Sequence, residues 1–333
     1  MRDLDQLTRA LRSVLPGGDG ITAISPLTTG FSNETYSIKG LDLILRLPPS
    51  GGAMLEGHDV IAQARIYEEL RTRVDAPPVP RIVTSCSNAA ILGVPFFVME
   101  RVEGQSIDDI KMTPWFVDGT EAFRNQICRN WVSAFAGLSK LEPLDALGPV
   151  VTPEDDARMW REFARAADCP VLVALFDRLL TVPAPRSGPP AIVHGDTKLS
   201  NLMWQDGSIT AMLDWEMALN GDPLANLGYM LYSFESKYHS ATRAQKLPGM
   251  LSRVEVIALW SEVSGRSVEG IFWHEIAQLG KIAAIIAEGT NMYNTGRSSD
   301  PRLVIFKQNL GYYLGVMEAM LDGGGFCEPK GMT

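Results

Sequence analysis

Two aspartates and an asparagine have the spacing of a phosphoryl-transfer site. The triplet His194-Gly195-Asp196 follows the apolar run Ala191-Ile192-Val193, and Asn201 comes five residues after Asp196. A carboxylate can accept the proton of an attacking hydroxyl, while amide and carboxylate oxygens are ligands for Mg²⁺. The pattern predicts Asp196 as the catalytic base and Asn201 with Asp214 as metal ligands. Lys198 is placed to reach the transferring phosphoryl group.

A predicted hairpin explains how Asp214 returns to Asn201. Asp206-Gly207 between apolar runs is typical of a two-residue β-turn. If Trp204 faces Ile209, then Met203 faces Thr210 and Asn201 faces Met212, so Asp214 leaves the hairpin beside Asn201. A His-Gly-Asp triplet alone is more often an ordinary turn. The longer pattern H-G-D-x-x-x-x-N matches by chance in roughly a few per thousand chains, and the hairpin lowers that risk further.

Two lobes are expected to position these residues, because a chain of 333 residues is longer than the length at which a single hydrophobic core stops growing. Residues 1–102 are predicted to form a small β-rich lobe, and residues 103–333 a mainly helical lobe that carries the hairpin. Glu103-Gly104-Gln105 is predicted as the hinge. The α+β fold class follows from a five-stranded antiparallel sheet with one helix between its strands. The clearest elements of the first lobe are strands Ile21 to Pro26, Thr35 to Lys39, Leu41 to Leu47 and Val94 to Val102, and the helix His58 to Arg71.

Composition excludes several classes of protein. The net charge of −9, the pI near 5.1 and the scattered Lys and Arg argue against a nucleic-acid partner. The N-terminus carries acids where a signal peptide needs an apolar core, and the longest nearly apolar run, Ala89 to Met99, is too short to span a bilayer. We therefore expect a cytoplasmic protein without membrane partners, and its four separated cysteines are expected to be buried thiols. The oligomeric state stays open.

The segment from His194 to Glu216, HGDTKLSN followed by DWE, resembles the catalytic and metal loops of the aminoglycoside phosphotransferase and choline kinase-like family. The likeness is greatest to the branch found with acyl-CoA dehydrogenases in longer proteins. Five further segments resemble that branch: TTGFSNETY, LILRLPP, PFFVMERVEG, MALNGDPLANLGYML and GRSSDPR. This resemblance implies a bilobal protein-kinase-like fold that uses ATP and magnesium.

The resemblance also implies where nucleotide binds. The turn between the first two strands would cover the phosphates, and Arg46 stands where kinases keep a lysine that binds the α- and β-phosphates. The backbone at the end of the strand preceding the hinge would contact adenine. The residues implied in nucleotide binding are Gly30, Phe31, Ser32, Asn33, Arg46, Glu100 and Val102. On its own, such a turn is more often a plain hairpin connector.

Two positions depart from the family pattern. The kinase partner of the phosphate-binding cation is a glutamate, whereas the corresponding residue here is Gln63 or, on the other edge of the helix, Glu68. The family also shows an aspartate that braces the catalytic loop, and this chain has Asn226 there. Its amide oxygen can accept a backbone hydrogen bond but carries no charge, so we expect a weaker brace.

The acceptor is the least specified part of the prediction. Lys281 and Glu288 lie on one face of the apolar helix Leu279 to Met292. They either face a cleft or form a pair, which is an interior ion pair or lies at the edge of the surface. We hypothesise that Glu288, Trp273 and Tyr293 line the acceptor pocket. Residues Tyr232 to Gln245 mix acids and bases, which does not suit a polycationic antibiotic. A hydroxy acid or a hydroxyacyl thioester, suggested by the branch resemblance, is favoured as the small-molecule acceptor. An antibiotic kinase and a nucleotide-binding regulatory module are the alternatives.

Overall fold

The computed structural model describes residues 2–27, 33–50, 59–109, 112–233, 246–298 and 300–324. The α-helices are α1 (Leu4–Val14), α2 (Val60–Leu70), α3 (Ala89–Leu92), α4 (Pro114–Val117), α5 (Glu121–Gly137), α6 (Pro153–Ala166), α7 (Pro170–Leu179), α8 (Leu224–Leu231), α9 (Arg253–Ser264), α10 (Ile271–Asn294) and α11 (Leu303–Ala319). The strands are β1 (Ala23–Leu27), β2 (Glu34–Lys39), β3 (Leu43–Leu47), β4 (Ile82–Cys86), β5 (Phe96–Glu100), β6 (Ala191–Val193), β7 (Leu202–Gln205), β8 (Ser208–Met212) and β9 (Leu219–Gly221).

The predicted five-stranded antiparallel sheet forms in the order β1-β2-β3-β5-β4. Strand alternation divides β3 between two cores. Leu43, Leu45 and Leu47 pack with α1 on one face, whereas Ile44 points to the face covered by α2. Arg46 shares the face of Ile44, because it lies two residues further along the strand. The sequence-predicted elements of this region are confirmed, with ends that differ by one to several residues.

The predicted hinge connects the sheet to the hairpin of the helical region. Gln105 exchanges two backbone hydrogen bonds of 2.9 Å with Trp204 of β7, and Thr210 of β8 donates to the Glu103 carbonyl over 2.7 Å. Gly104 has φ +112°, and a Cβ there would lie 2.5 Å from the Trp204 carbonyl oxygen. Only glycine fits this close approach, which joins the hinge to the catalytic hairpin.

The catalytic hairpin differs from its predicted register by one residue. Asp206 and Gly207 have φ of 50° and 79°, as a type I′ turn requires, and Trp204 faces Ile209 as predicted. A β-bulge at Met203 and Trp204 then shifts the pairing, so that Met203 faces Ala211 rather than Thr210. The extra residue brings Leu213 opposite Asn201, whose carbonyl accepts the Leu213 N–H over 2.8 Å.

One continuous core crosses the predicted lobe boundary at residues 102 and 103. It joins Ile44 and Phe97 of the sheet to buried residues of α5, α8 and α9. A second core packs α6, α7, α10 and α11 together. Glu69 of α2 also accepts the backbone N–H groups of Asp145 and Ala146 over 3.1 and 2.9 Å. The sheet and the helical region are therefore held together by apolar packing and by charged contacts.

Other predictions about the chain can be compared with the described ranges. Cys86, Cys128 and Cys169 are free thiols; Cys128 and Cys169 are buried and Cys86 is half-buried, while Cys327 lies outside those ranges. No helix within the same ranges is long and apolar enough to cross a lipid bilayer.

Candidate active site

His194 fixes the start of the catalytic loop from a fully buried position. Its ring lies between Phe135 and Trp215, with ring centroids 5.2 and 4.6 Å away. Nε2 lies 2.8 Å from the Leu213 carbonyl oxygen, and the Asp196 N–H donates to Nδ1 over 3.2 Å. Burial lowers the pKa of His194, which matches a neutral ring that donates from Nε2 and accepts at Nδ1. The histidine thus orients Asp196 through its backbone.

Asp196, the predicted base, is a buried carboxylate with a nearby cation. Only 6% of the residue is exposed, and Lys198 Nζ lies 3.0 Å from its carboxylate. Burial opposes ionisation, but Lys198 and a hydrogen bond from Tyr229 hold the pKa of Asp196 below its ordinary value. The group is therefore ionised at neutral pH and can accept a proton. Lys198 therefore lies beside Asp196, and its predicted contact with the transferring phosphoryl group stays a prediction.

Asn201 and Asp214, the predicted metal ligands, are brought together by the hairpin. Asn201 ends the 3₁₀ turn Leu199–Asn201 and donates its Nδ2 to the Asp196 carbonyl over 2.8 Å. Asp214 follows Leu213, which pairs with the Asn201 backbone. Its φ of 63° and ψ of 60° place it in the left-handed region, which an L-residue adopts at an energetic cost.

Arg46 links the sheet to Asp214, one of the two predicted metal ligands. One guanidinium nitrogen lies 2.9 Å from Asp214 Oδ1 and the other donates to Thr35 Oγ1 over 2.7 Å. Thr35 is the cross-strand neighbour of Arg46, so the β2-β3 register aims the guanidinium. The Asp214 N–H donates to the Tyr67 hydroxyl over 3.1 Å. Arg46 therefore lies beside Asp214, and its predicted role in phosphate binding stays a prediction.

Glu216 and Tyr67 are two residues of this site that the sequence analysis did not single out. Asn33 Nδ2 donates to Glu216 Oε2 over 2.9 Å, which places a second carboxylate two residues after Asp214. The Asp-x-Glu spacing after the hairpin was a usable signal for Glu216. Tyr67 gave no signal, since a helical tyrosine is ordinarily a core residue. Of the predicted phosphate loop, Gly30, Phe31 and Ser32 lie outside the described residues, and only Asn33 can be placed.

Gln63 and Glu68 were the two candidates for the residue of α2 that corresponds to the kinase glutamate, and they differ in burial. Gln63 points inward and is 3% exposed, whereas Glu68 is exposed to solvent. Gln63 precedes Tyr67 by one turn of α2, so both face the sheet side that carries Arg46. In this structure Arg46 uses Asp214 rather than an α2 side chain as its charged partner.

The contacts of Glu100 and Val102 with adenine stay predictions. The Glu100 N–H is used within the sheet, where it donates to the Arg81 carbonyl over 2.9 Å. Its side chain forms an exposed ion pair with Arg81. Val102 is half-buried in the segment that leads to the hinge. A base contact from Glu100 would have to use its carbonyl oxygen.

Asn226 braces the catalytic loop with both ends of its amide. Its Oδ1 accepts the N–H of His194 over 2.8 Å and, more weakly, that of Gly195 over 3.4 Å. Its Nδ2 donates to the Ile192 carbonyl over 3.1 Å. The side chain is fully buried, and every contact runs to the backbone that leads into Asp196. The predicted brace therefore exists, and the amide makes a contact that a carboxylate could not make.

The three residues suggested for the acceptor pocket are not brought together. Trp273 and Tyr293 lie at opposite ends of α10, about 30 Å apart at about 1.5 Å of rise per residue. Trp273 is buried and donates to the Val182 carbonyl over 3.1 Å, while Tyr293 is partly exposed. Glu288 is 8% exposed and pairs with Arg297 at 2.8 Å. Of the three, Glu288 alone lies on the α10 face that carries Lys281, whose ammonium reaches the catalytic loop.

The donor set around Asp214 fits magnesium. Asn201 Nδ2 is committed to the Asp196 carbonyl, so the Asn201 Oδ1 is the atom left to face a cation. Together with the Asp214 and Glu216 carboxylates it would give an oxygen-only set, which Mg²⁺ prefers. Within the described ranges no group of three or more His, Cys, Asp or Glu side chains could hold a metal ion. A site with few protein oxygens suits an ion that takes its other ligands from phosphates and water.

The family model for the phosphotransferase enzyme family APH matches residues 23–253 of the chain. The chain belongs to this family. The match runs from the first strand of the sheet to the start of α9 and includes the whole catalytic hairpin. The family resemblance read from the sequence is confirmed.

Curated relatives support the branch resemblance. The chain is 29% identical over 240 residues to mouse acyl-CoA dehydrogenase family member 10, covering 68% of the chain and 22% of that protein. It is 26% identical over 320 residues to rat acyl-CoA dehydrogenase family member 11, covering 89% of the chain and 40% of that protein. The chain spans well under half the length of these relatives.

Solved structures confirm the protein-kinase-like α+β fold. A crystal structure assigned provisionally as an aminoglycoside phosphotransferase of Ralstonia eutropha has a TM-score of 0.75 at 20% identity, covering 96% of this chain and 98% of its own. The streptomycin–ATP complex of the aminoglycoside phosphotransferase APH(2″)-IIa has a TM-score of 0.60 at 13% identity, covering 96% and 99%. At these identities the likeness establishes the fold.

Proposed function

We propose that the chain is an ATP- and magnesium-dependent kinase that phosphorylates a hydroxyl group of a small molecule. The observation that carries this proposal is the 2.9 Å contact between Arg46 of the sheet and Asp214 of the catalytic hairpin. It supports the proposal because Arg46, the proposed phosphate-binding cation, contacts Asp214, the proposed metal ligand, and Asp214 follows the residue that pairs with Asn201. Phosphoryl transfer depends mainly on such positioned charges.

Each residue of the site has a distinct task in this proposal. Asp196 accepts the proton of the acceptor hydroxyl, and Lys198 carries positive charge to the transferring phosphoryl group. Arg46 leaves Asp214 and binds phosphate oxygens of the nucleotide. Asn201 and Asp214, with Glu216 nearby, hold the metal, which when bound neutralises charge on the phosphates.

Two substitutions test these tasks separately. Asp196→Asn should abolish turnover while leaving the Kd for Mg-ATP unchanged, because the amide keeps the shape but cannot accept the proton. Asp214→Ala should remove the magnesium dependence of nucleotide binding, measured by isothermal titration with and without chelator. Retention of both turnover in Asp196→Asn and metal-dependent binding in Asp214→Ala would defeat the proposal.

A hydroxy acid or a hydroxyacyl thioester is our proposed acceptor class. It is supported by the likeness to acyl-CoA dehydrogenase family members. Glu288, the one carboxylate suggested for the acceptor pocket, is already paired with Arg297. An aminoglycoside would need several unpaired carboxylates there. A screen of a metabolite pool for ATP-dependent phosphorylation, with Asp196→Asn as the blank, identifies the acceptor.

A nucleotide-binding regulatory module is the second candidate, favoured by the neutral residues Gln63 and Asn226. It predicts binding of Mg-ATP without stimulation of ATP hydrolysis by any hydroxylated compound. The kinase proposal predicts slow intrinsic hydrolysis that an acceptor accelerates. The two are separated by one hydrolysis assay across the metabolite pool.

A further inference from the structure

Lys281 is a buried cation in the middle of α10 that contacts the catalytic loop directly. The residue is 3% exposed, and its Nζ donates to the Gly195 carbonyl oxygen over 2.5 Å. Gly195 immediately precedes the proposed base Asp196. A buried lysine is uncommon because its charge must be compensated, so its place beside the loop calls for a physical reason.

Aromatic rings enclose the Lys281 ammonium. Its Nζ lies 5.4 Å from the Trp160 ring centroid and 5.7 Å from that of Tyr229. Both distances are within the range of a cation–π attraction. Tyr229 also hydrogen-bonds the Asp196 side chain, so one ring contacts the cation and the base. Trp160 in turn donates its Nε1 to the buried carboxylate of Asp156 over 2.9 Å.

Asp156 gives the largest compensation for the buried charge of Lys281. It is 8% exposed and interacts electrostatically with the ammonium. Burial lowers the pKa of Lys281 and raises the pKa of Asp156, and the attraction between the two groups opposes both shifts. Asp156, Trp160 and Lys281 thus form a buried group, with its charged end against the Gly195 carbonyl.

Two buried side chains hydrogen-bond to the backbone around Gly195. Asn226 accepts the N–H groups of His194 and Gly195, and Lys281 binds the Gly195 carbonyl. Gly195 has φ +81°, and a Cβ there would lie 2.2 Å from the Met217 carbonyl and 3.0 Å from Lys281 Nζ. The loop therefore has little room to move. Asn226 is neutral, so Lys281 supplies the charged restraint.

We propose that Lys281 is a positioning residue for catalysis: its ammonium, enclosed by Trp160 and Tyr229, clamps the Gly195 carbonyl and so holds Asp196 in its reactive orientation. This inference rests on the proposed function, because it takes Asp196 as the base. Lys281 acts through the backbone and the Tyr229 ring, without touching the nucleotide. Its loss should lower kcat and leave nucleotide binding unchanged, since misplacement of a reacting group by about 1 Å lowers rates about 100-fold.

The test compares Lys281→Met with the surface control Lys140→Met. We expect Lys281→Met to hydrolyse Mg-ATP about 100-fold more slowly, with a Kd for Mg-ATP within about twofold of wild type. Amide hydrogen exchange at Gly195 and Asp196 should accelerate at least about tenfold, because the clamp no longer restrains local opening. Lys140 is exposed, and its substitution should change none of these quantities.

A double variant separates positioning from stability. Lys281→Met alone leaves Asp156 as a buried uncompensated charge and should lower Tm. Asp156→Asn/Lys281→Met removes both charges, so Tm should recover while kcat stays low. Recovery of kcat together with Tm would overturn the proposal, as would unchanged hydrogen exchange in a folded variant. If Lys281→Met does not fold, the double variant carries the same measurements.

Failure of the proposed function has a different signature. Hydrolysis that survives Asp196→Asn would show that Asp196 is not the base, whatever Lys281 does. The hydrogen-exchange comparison needs no activity, so it still decides whether Lys281 clamps the loop.

Discussion

Arg46 and Gln63 show how a single residue changes the electrostatics of a kinase-like site. A glutamate at position 63 would compete with Asp214 for the Arg46 guanidinium. The neutral Gln63 leaves that guanidinium on Asp214, where burial works against its charge and Asp214 restores it, so that the pKa of Arg46 is raised. In the proposed function, nucleotide binding would therefore replace the Asp214 carboxylate by phosphate oxygens at Arg46. Before nucleotide binds, Arg46 and Asp214 therefore form an ion pair rather than two separate charges.

Gln63→Leu should stabilise the protein in the absence of nucleotide. Both polar atoms of the Gln63 amide are buried and have no hydrogen-bond partner among the described residues. Replacing an unsatisfied buried polar group by an apolar one of similar size recovers about 1–3 kcal/mol of its desolvation cost. We expect the free energy of unfolding in urea to rise by about 1 kcal/mol. Gln6→Leu, on the exposed face of α1, is the control, and a fall in stability for Gln63→Leu would contradict the reasoning.

The catalytic hairpin illustrates what sequence predicts at the scale of an element. Asp206-Gly207 identified the turn, because both residues tolerate the positive φ of a type I′ turn. The convergence of Asn201 and Asp214 followed from that turn. The bulge at Met203 and Trp204 could not be predicted from the turn. A bulge sets two residues of one strand opposite one residue of the other, and no residue type marks that position. Contacts such as Tyr67 with Asp214 were equally hidden, because they join elements far apart in the chain and depend on packing.

Asn226→Asp should weaken the loop brace, even though aspartate is the residue that the family pattern shows there. The Nδ2 of Asn226 donates to the Ile192 carbonyl over 3.1 Å in a fully buried site. In the aspartate variant a carboxylate oxygen would face the Ile192 carbonyl oxygen instead, and neither atom can donate a hydrogen bond. We expect the free energy of unfolding to fall by about 1–3 kcal/mol, measured by urea denaturation.

Asn309→Asp is the matched control for this substitution. Its Nδ2 also donates to a backbone carbonyl, that of Ile305 over 2.7 Å, but on the exposed side of α11. Loss of that bond should change stability by less than about 0.5 kcal/mol. Equal effects at both positions would show that burial is not the reason for the asparagine at 226.

At the scale of the whole molecule, buried histidines tie stability to pH. His194 and His274 are almost fully buried, one in the catalytic loop and one on α10 with its Nε2 3.0 Å from the Pro185 carbonyl. Burial lowers the pKa of both rings in the folded state. Unfolding releases them to their ordinary pKa near 6.5, so the unfolded chain binds protons first as the pH falls. Their contribution to stability is complete above about pH 6.5 and is lost as the pH drops through the folded-state pKa values.

His274→Gln should make stability less sensitive to acid, because glutamine keeps a donor for Pro185 and does not titrate. Below about pH 6.5 each such histidine steepens the fall of the unfolding free energy by up to about 1.4 kcal/mol per pH unit. Urea unfolding at several pH values between 7 and 5 gives the slope for each protein. The carboxyl groups and the other histidines are common to both proteins, so the difference between slopes isolates His274. Parallel slopes would mean that His274 titrates alike in the folded and unfolded states, and burial on α10 would then not hold its ring neutral.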